Sequence, residues 1–203
     1  MTQTTEQRAN ARRLGTAGAA VTVAAMLTNG LAYLVPMLGA RQLTADDLSA
    51  LATVLALGAI AGVPGMGLQI AVAVHRAKHG RTSTARVTVA TAALTGGALV
   101  AAAPLLIVAL RLSVGLLALL VAMTVAVVLA GRWLGELQGE QRFLRLAAGM
   151  ALLAVGRYVG VIAGLALGAG LVGSLLAGVL VAYLVLPVLA RLTAPSADPP
   201  PVE

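Results

Sequence analysis

The segment Gly131-Arg132-Trp133-Leu134-Gly135-Glu136-Leu137-Gln138-Gly139-Glu140-Gln141-Arg142-Phe143 leads into an apolar run, Leu146 to Leu167, with a single charged residue, Arg157, near its middle. The first part reads as a charged loop. The second is long enough to cross a hydrocarbon core of about 30 Å as a helix. Gly156, Gly160, Gly164 and Gly168 recur every four residues and make a smooth stripe where another backbone can approach closely. At about 100° per residue the stripe drifts by roughly 40° per step, so its later members share the azimuth of Arg157. A guanidinium in the middle of a lipid-exposed helix costs about 2.5 kcal/mol or more, so this helix should turn Arg157 toward other helices or water. The run therefore reads as the interior wall of a membrane bundle.

Composition agrees. Of 203 residues, 60% are hydrophobic and 10% charged, and mean hydropathy is +0.97; a soluble domain carries about 25% charged residues. The absence of cysteine excludes disulfides, thiolate nucleophiles and cysteine metal sites. Net charge is +7, but aromatic residues are 2% of the chain and the basic residues fall in short clusters between apolar runs. A nucleic-acid face needs stacking platforms beside its cations, so no nucleic-acid partner is expected.

Six apolar runs follow in order. Residues Met1 to Arg13 read as a polar cytoplasmic leader, and 14–190 as a six-span membrane domain. Span one, Leu14 to Ala40, exceeds a signal-peptide core of about 7 to 15 residues and contains Asn29-Gly30 and Pro36, which predict a disturbed helix. Thr44 is placed to cap the next helix, with Asp47 three residues on as an acidic capping box. Span two, Ser49 to Val74, has Gly58 and Gly62 at packing spacing and a kink-prone Pro64-Gly65-Met66-Gly67 before Gln69. Spans three and four, Val87 to Leu110 with Pro104 and Leu112 to Ala130, form a hairpin with a tight turn at Arg111 and Ser113. Span five is Leu146 to Leu167, and span six is Ser174 to Ala190 with Pro187. The Pro-rich tail 191–203 predicts disorder.

Arg8, Arg12, Arg13, Arg76, Lys78, Arg81, Arg86, Arg132, Arg142, Arg145 and Arg191 fall in the segments on one side of this six-span topology. Only Arg41 and Arg111 fall on the other, which predicts both termini in the cytoplasm and a multi-pass protein of the inner (plasma) membrane.

No catalytic motif appears: there is no H-E-x-x-H, G-x-S-x-G or phosphate loop, and no Asp or Glu lies within a predicted span. A non-enzyme without cofactor or metal is expected. His75 and His79 are four residues apart, but the cations around them and Gly80 oppose a metal site. The polar residues inside the membrane are Asn29, Gln69, Arg157, several Thr, and Tyr33, Tyr158 and Tyr183. Two readings of Arg157 stand. It is either a structural cation satisfied by carbonyls, Asn29 or Gln69, or a cavity cation whose planar fork receives an anionic headgroup such as a pyrophosphate. The glycines read as helix packing.

Ala40-Arg41-Gln42-Leu43-Thr44-Ala45-Asp46-Asp47-Leu48, Gly67-Leu68-Gln69, His75-Arg76 and Gly135-Glu136-Leu137-Gln138-Gly139-Glu140-Gln141-Arg142-Phe143 resemble the polysaccharide-biosynthesis membrane proteins of the multidrug, oligosaccharidyl-lipid and polysaccharide exporter superfamily. The resemblance spans about Leu14 to Leu192. It implies an all-α bundle like the N-terminal six-helix half of a two-bundle flippase. It also implies a half-size, flippase-like transporter of lipid-linked polysaccharide or cell-envelope precursors; the intramembrane polar residues Arg157, Asn29 and Gln69, none matched to a family position, are the cavity candidates for a lipid-linked anionic sugar. Membrane lipids surround it, and a homodimer or a second six-span bundle would complete it. The alternative is a non-transporting scaffold or accessory subunit of a polysaccharide assembly complex. In either assembly Gly156, Gly160 and Gly164 offer the contact surface.

Overall fold

The structure, a computed structural model, describes residues 2–194. Eight helices follow in order: α1 Thr2–Gln42, α2 Ala45–Ala61, α3 Val63–His79, α4 Ala85–Ala101, α5 Ala103–Leu110, α6 Val114–Gly139, α7 Phe143–Ala166 and α8 Gly170–Leu192. There is no strand among the described residues. Among the described residues five helical runs are long and apolar enough to cross a membrane, Gly18–Gln42 within α1, the joined run α2–α3, α6, α7 and α8, and the bent pair α4–α5 makes a sixth when its two helices are counted as one span. The protein is an all-α, multi-pass membrane bundle.

The breaks follow local chemistry. Gly62 ends α2 and begins α3, with Pro64 in the first turn of α3, where its missing N–H costs nothing. Pro104 acts in the same way at the start of α5, and α4 and α5 meet at 47°. Arg111 takes a left-handed conformation (φ 52°) and Ser113 caps α6 by accepting from the Leu116 N–H at 3.3 Å. Thr44 caps α2 by accepting from the Asp47 N–H at 3.3 Å. The reciprocal bond of a full capping box, from the Thr44 N–H to the Asp47 carboxylate, is not formed among the described residues.

Residues 2–13, read as a polar leader, form the first turns of α1, ahead of the apolar span that begins at Gly18. Three expectations are corrected. Asn29-Gly30 and Pro36 do not break α1, which runs through all three. The charged segment after Gly131 is largely helix: α6 continues to Gly139, so only residues 140–142 connect it to α7. As a result Glu136, 7% exposed, is a carboxylate on a spanning helix, paired with Arg132 one turn earlier at 3.0 Å. The tail from residue 195 onward lies outside the described residues, while Arg191 and Leu192 complete α8.

α6 stands at the centre, in contact with α2, α3, α4, α7 and α8, while α7 packs on α8 and α1. The main core joins Val35, Leu51, Leu120, Leu165 and Leu175 from five spanning helices toward the end of the bundle with the uncharged α7–α8 turn. Leu134, Leu137, Leu146 and Leu189 form a second core toward the basic end, where α3, α6 and α8 finish. Two seams of close backbone approach hold the helix pairs. On α7, Gly156 meets Ala182 and Val185, Gly160 meets Ala177 and Gly178, and Gly164 meets Ser174, all on α8. On α6, Gly131, Gly135 and Gly139 face the carbonyls of Gly65, Gln69 and Ala73 on α3, again at every fourth residue.

Two predicted packing glycines lie elsewhere. Gly168 adopts φ 71° in the turn after α7 with nothing near it, and Gly62 forms the α2–α3 break. Gly58 does pack, facing Leu120 and the Arg157 guanidinium. The stripe on α7 is spent within the chain against α8, so Gly160 is not a surface for a second molecule.

Candidate functional site

A cavity of about 290 Å³ lies among α1, α2, α3, α6 and α7. Its walls include Thr28, Met66, Gln69, Met150, Tyr158 and Arg157. Most of this wall is apolar, with the guanidinium and the Gln69 amide among its few polar groups, the composition expected of a ligand cavity. It is partly open to the outside. A smaller adjoining cavity of about 30 Å³, lined by Gly58, Leu120, Met123 and Val179, also reaches Arg157 and Tyr158.

Arg157 is half-buried. From its place on α7 it is about 21 Å from the Phe143 end and about 14 Å from the Ala166 end, at 1.5 Å per residue. Among the described residues it forms no hydrogen bond or ion pair; its Cζ sits 5.3 Å from the centroid of the Tyr158 ring. Such a contact contributes about 0.5 to 2 kcal/mol and engages none of the five N–H donors of the fork, which remain available to the cavity. The sequence places Tyr158 only one residue away, and no spacing rule marks it as the arginine's stacking partner.

Of the three cavity candidates, Arg157 and Gln69 are brought together and Asn29 is not. Asn29 is exposed on the outer side of α1, and its neighbour Thr28 lines the cavity. The Thr28 hydroxyl is itself bound to the Ala24 carbonyl at 2.8 Å. The Gln69 amide donates to the Gln138 side chain at 3.0 Å, tying α3 to α6. Tyr33 is exposed, and the Tyr183 hydroxyl donates to the Ala122 carbonyl at 3.2 Å.

At the basic end, Glu140 follows α6 and collects three arginines. Arg76 Nη2 and Arg81 Nε each lie 3.0 Å from its Oε1, and Arg142 Nε lies 3.4 Å from its Oε2. Arg81, Arg142 and Arg145 also donate to the carbonyls at the end of α8 and just beyond it, at Leu192, Thr193 and Ala194. Burial pushes the Glu140 carboxyl up, but the Arg81 hydrogen bond and the charges of Arg81, Arg76 and Arg142 outweigh it and hold the group below its ordinary value. A lowered carboxylate stabilises the fold above its ordinary range, and that contribution fades as pH falls through the lowered value. The thermal midpoint of the native protein, relative to Glu140→Gln, is therefore expected to be flat at neutral pH and to drop on acidification below about 4.5, the group's unperturbed value. A difference that does not change with pH would contradict it. The rings of His75 and His79 stack at 4.7 Å, and His75 Nε2 lies 2.6 Å from the Thr82 hydroxyl.

No protein-family model, curated protein or solved structure matches this chain. What the fold and cavity define together is a multi-pass helical membrane protein with a cation facing a cavity inside the bundle.

Proposed function

We propose that the chain forms a flippase-like transporter bundle that moves lipid-linked anionic sugars or cell-envelope precursors, as the resemblance of its sequence to the polysaccharide-export proteins implies. The observation that carries this is Arg157, mid-span and without a carboxylate partner among the described residues, on the wall of a cavity of about 290 Å³. A bidentate guanidinium matches phosphate oxygens, and a low dielectric strengthens the pairing. Gln69 supplies a neutral polar group beside it. A second copy, or a separate six-span bundle, closes the open side of the cavity.

The test is Arg157→Met, scored for accumulation of lipid-linked sugar in the cells that make the protein. A folded, inserted variant that no longer exports supports the reading. Normal export by that variant ends it and transfers the chain to the accessory-subunit class.

The reading places both termini in the cytoplasm and the protein in the plasma membrane, because the basic residues crowd the ends of α3, α6 and α8. Reporter fusions after Asp47, His79, Arg111, Gln138 and Gly170 are expected to alternate out, in, out, in, out. A periplasm-active fusion at His79 would reverse the orientation.

A further inference from the structure

α1 rests on α7 along one side and turns the other outward. Thr22, Met26, Asn29, Tyr33, Pro36 and Ala40 are all exposed on that outer side, at alternating spacings of four and three residues. This is the spacing of a seam between two helices that cross at a shallow angle. Met26 and Tyr33, which flank Asn29 along it, are 68% and 74% exposed.

Asn29 gives the seam its chemistry. Along α1 it lies about 16 Å from Gly18 and about 20 Å from Gln42, the ends of the spanning run, so its short side chain reaches neither boundary. Among the described residues its amide has no hydrogen-bond partner, whereas Thr22 and Thr28 on the same helix each donate to a carbonyl four residues back. Hydrocarbon tails supply neither donor nor acceptor, and an amide left without both is costly there. The position calls for a second helix that carries a donor and an acceptor at the same depth.

A copy of this chain meets that condition by symmetry. With the basic residues crowded at one end of the bundle, every copy inserts the same way round, so α1 runs parallel to α1 and Asn29 meets Asn29 about a two-fold axis. Each amide then donates one N–H to the carbonyl oxygen of the other. Beside it, a Cβ added to Gly30 would meet nothing within 4 Å, which leaves room for the approach.

We propose that the outer side of α1 is the face on which two copies of this chain pair, with the two Asn29 amides hydrogen-bonded at the middle of the seam. A single amide in such a seam fixes its register and its oligomeric state. The pairing is independent of the transport reading, since it concerns how the chain associates and not what Arg157 binds.

The experiment reconstitutes the full chain into phosphatidylcholine bilayers and follows energy transfer between donor- and acceptor-labelled copies as the protein is diluted in lipid. The native chain is expected to dimerise. Asn29→Leu should raise the dimer dissociation constant about tenfold, and Asn29→Gln, which keeps the amide, should stay within about threefold of the native value. Because the chain has no cysteine, single substitutions report contact directly. Met26→Cys and Tyr33→Cys are expected to form disulfide-linked dimers on oxidation, and Val108→Cys, on α5 and 80% exposed, is not. A native chain that stays monomeric at every dilution leaves the face to lipid or to a different protein and overturns the proposal. So does a dimer that Asn29→Leu does not weaken, or one that crosslinks at Val108 and not at Met26 or Tyr33. Arg157→Met should dimerise as the native chain does, so failure here leaves the transport reading to its own test.

Discussion

Gly135→Ala is expected to lower the thermal midpoint of the protein sharply, although it adds one methyl group to a helix. A Cβ at Gly135 would overlap the carbonyl oxygen of Gln69 and lie 2.9 Å from Val72 Cβ. Neither can withdraw alone, since both belong to α3, which would have to move as a unit away from α6. Overpacking of this kind costs about 1 to 3 kcal/mol, a large part of a stability of about 5 to 15 kcal/mol. Gly67→Ala is the control. Gly67 is on α3 with nothing within 4 Å of the added carbon, and there the exchange should be neutral or gain roughly 0.5 to 1 kcal/mol from helix propensity. Equal midpoints for the two variants would refute the seam.

Arg157→Met is expected to separate stability from transport. The guanidinium is half-buried, has Tyr158 as its contact and no ion pair among the described residues, so removing it forfeits a cation–π contact of about 0.5 to 2 kcal/mol, which the apolar side chain of Met packed in its place offsets. The detergent midpoint should hold or rise while lipid-linked sugar accumulates in cells. Arg157→Lys keeps the charge and loses the two-pronged geometry, so partial export is expected. A strongly lowered midpoint in Arg157→Met would instead mark the arginine as structural.

The spanning helices were legible because each is a long apolar run bounded by charge or a turn. The breaks at Gly62 and before Pro104 follow from residues that cannot continue a helix unaided. The α3–α6 seam was not read. Arg132 and Glu136 gave residues 131–139 the look of a loop, although Gly131, Gly135 and Gly139 keep the same spacing of four as Gly156, Gly160 and Gly164. That spacing was the available signal, and the Arg132–Glu136 pair is how the helix carries its charges. Spacing also says nothing about which helix a stripe meets, so the α7 glycines could be assigned to a partner molecule when α8 already covers them. Asn29 fails for a related reason: one residue along a helix is about 100° of rotation, enough to put Thr28 in the cavity wall and Asn29 outside it.

The two glycine seams also limit how the bundle can move. A helix seated by its backbone on another every fourth residue slides into register again only after about 6 Å, four residues at 1.5 Å each. Any shorter shift drives Leu134, Glu136 or Val161 toward a backbone that has room only for hydrogen. The pairs α3–α6 and α7–α8 thus act as two stiff plates, and travel is left to rotation of one plate against the other. The elbow at Gly62, where α2 gives way to α3, is the point at which the wall is not one continuous helix. On the transporter reading, whatever enters beside Arg157 would be admitted by a hinge, not by a piston.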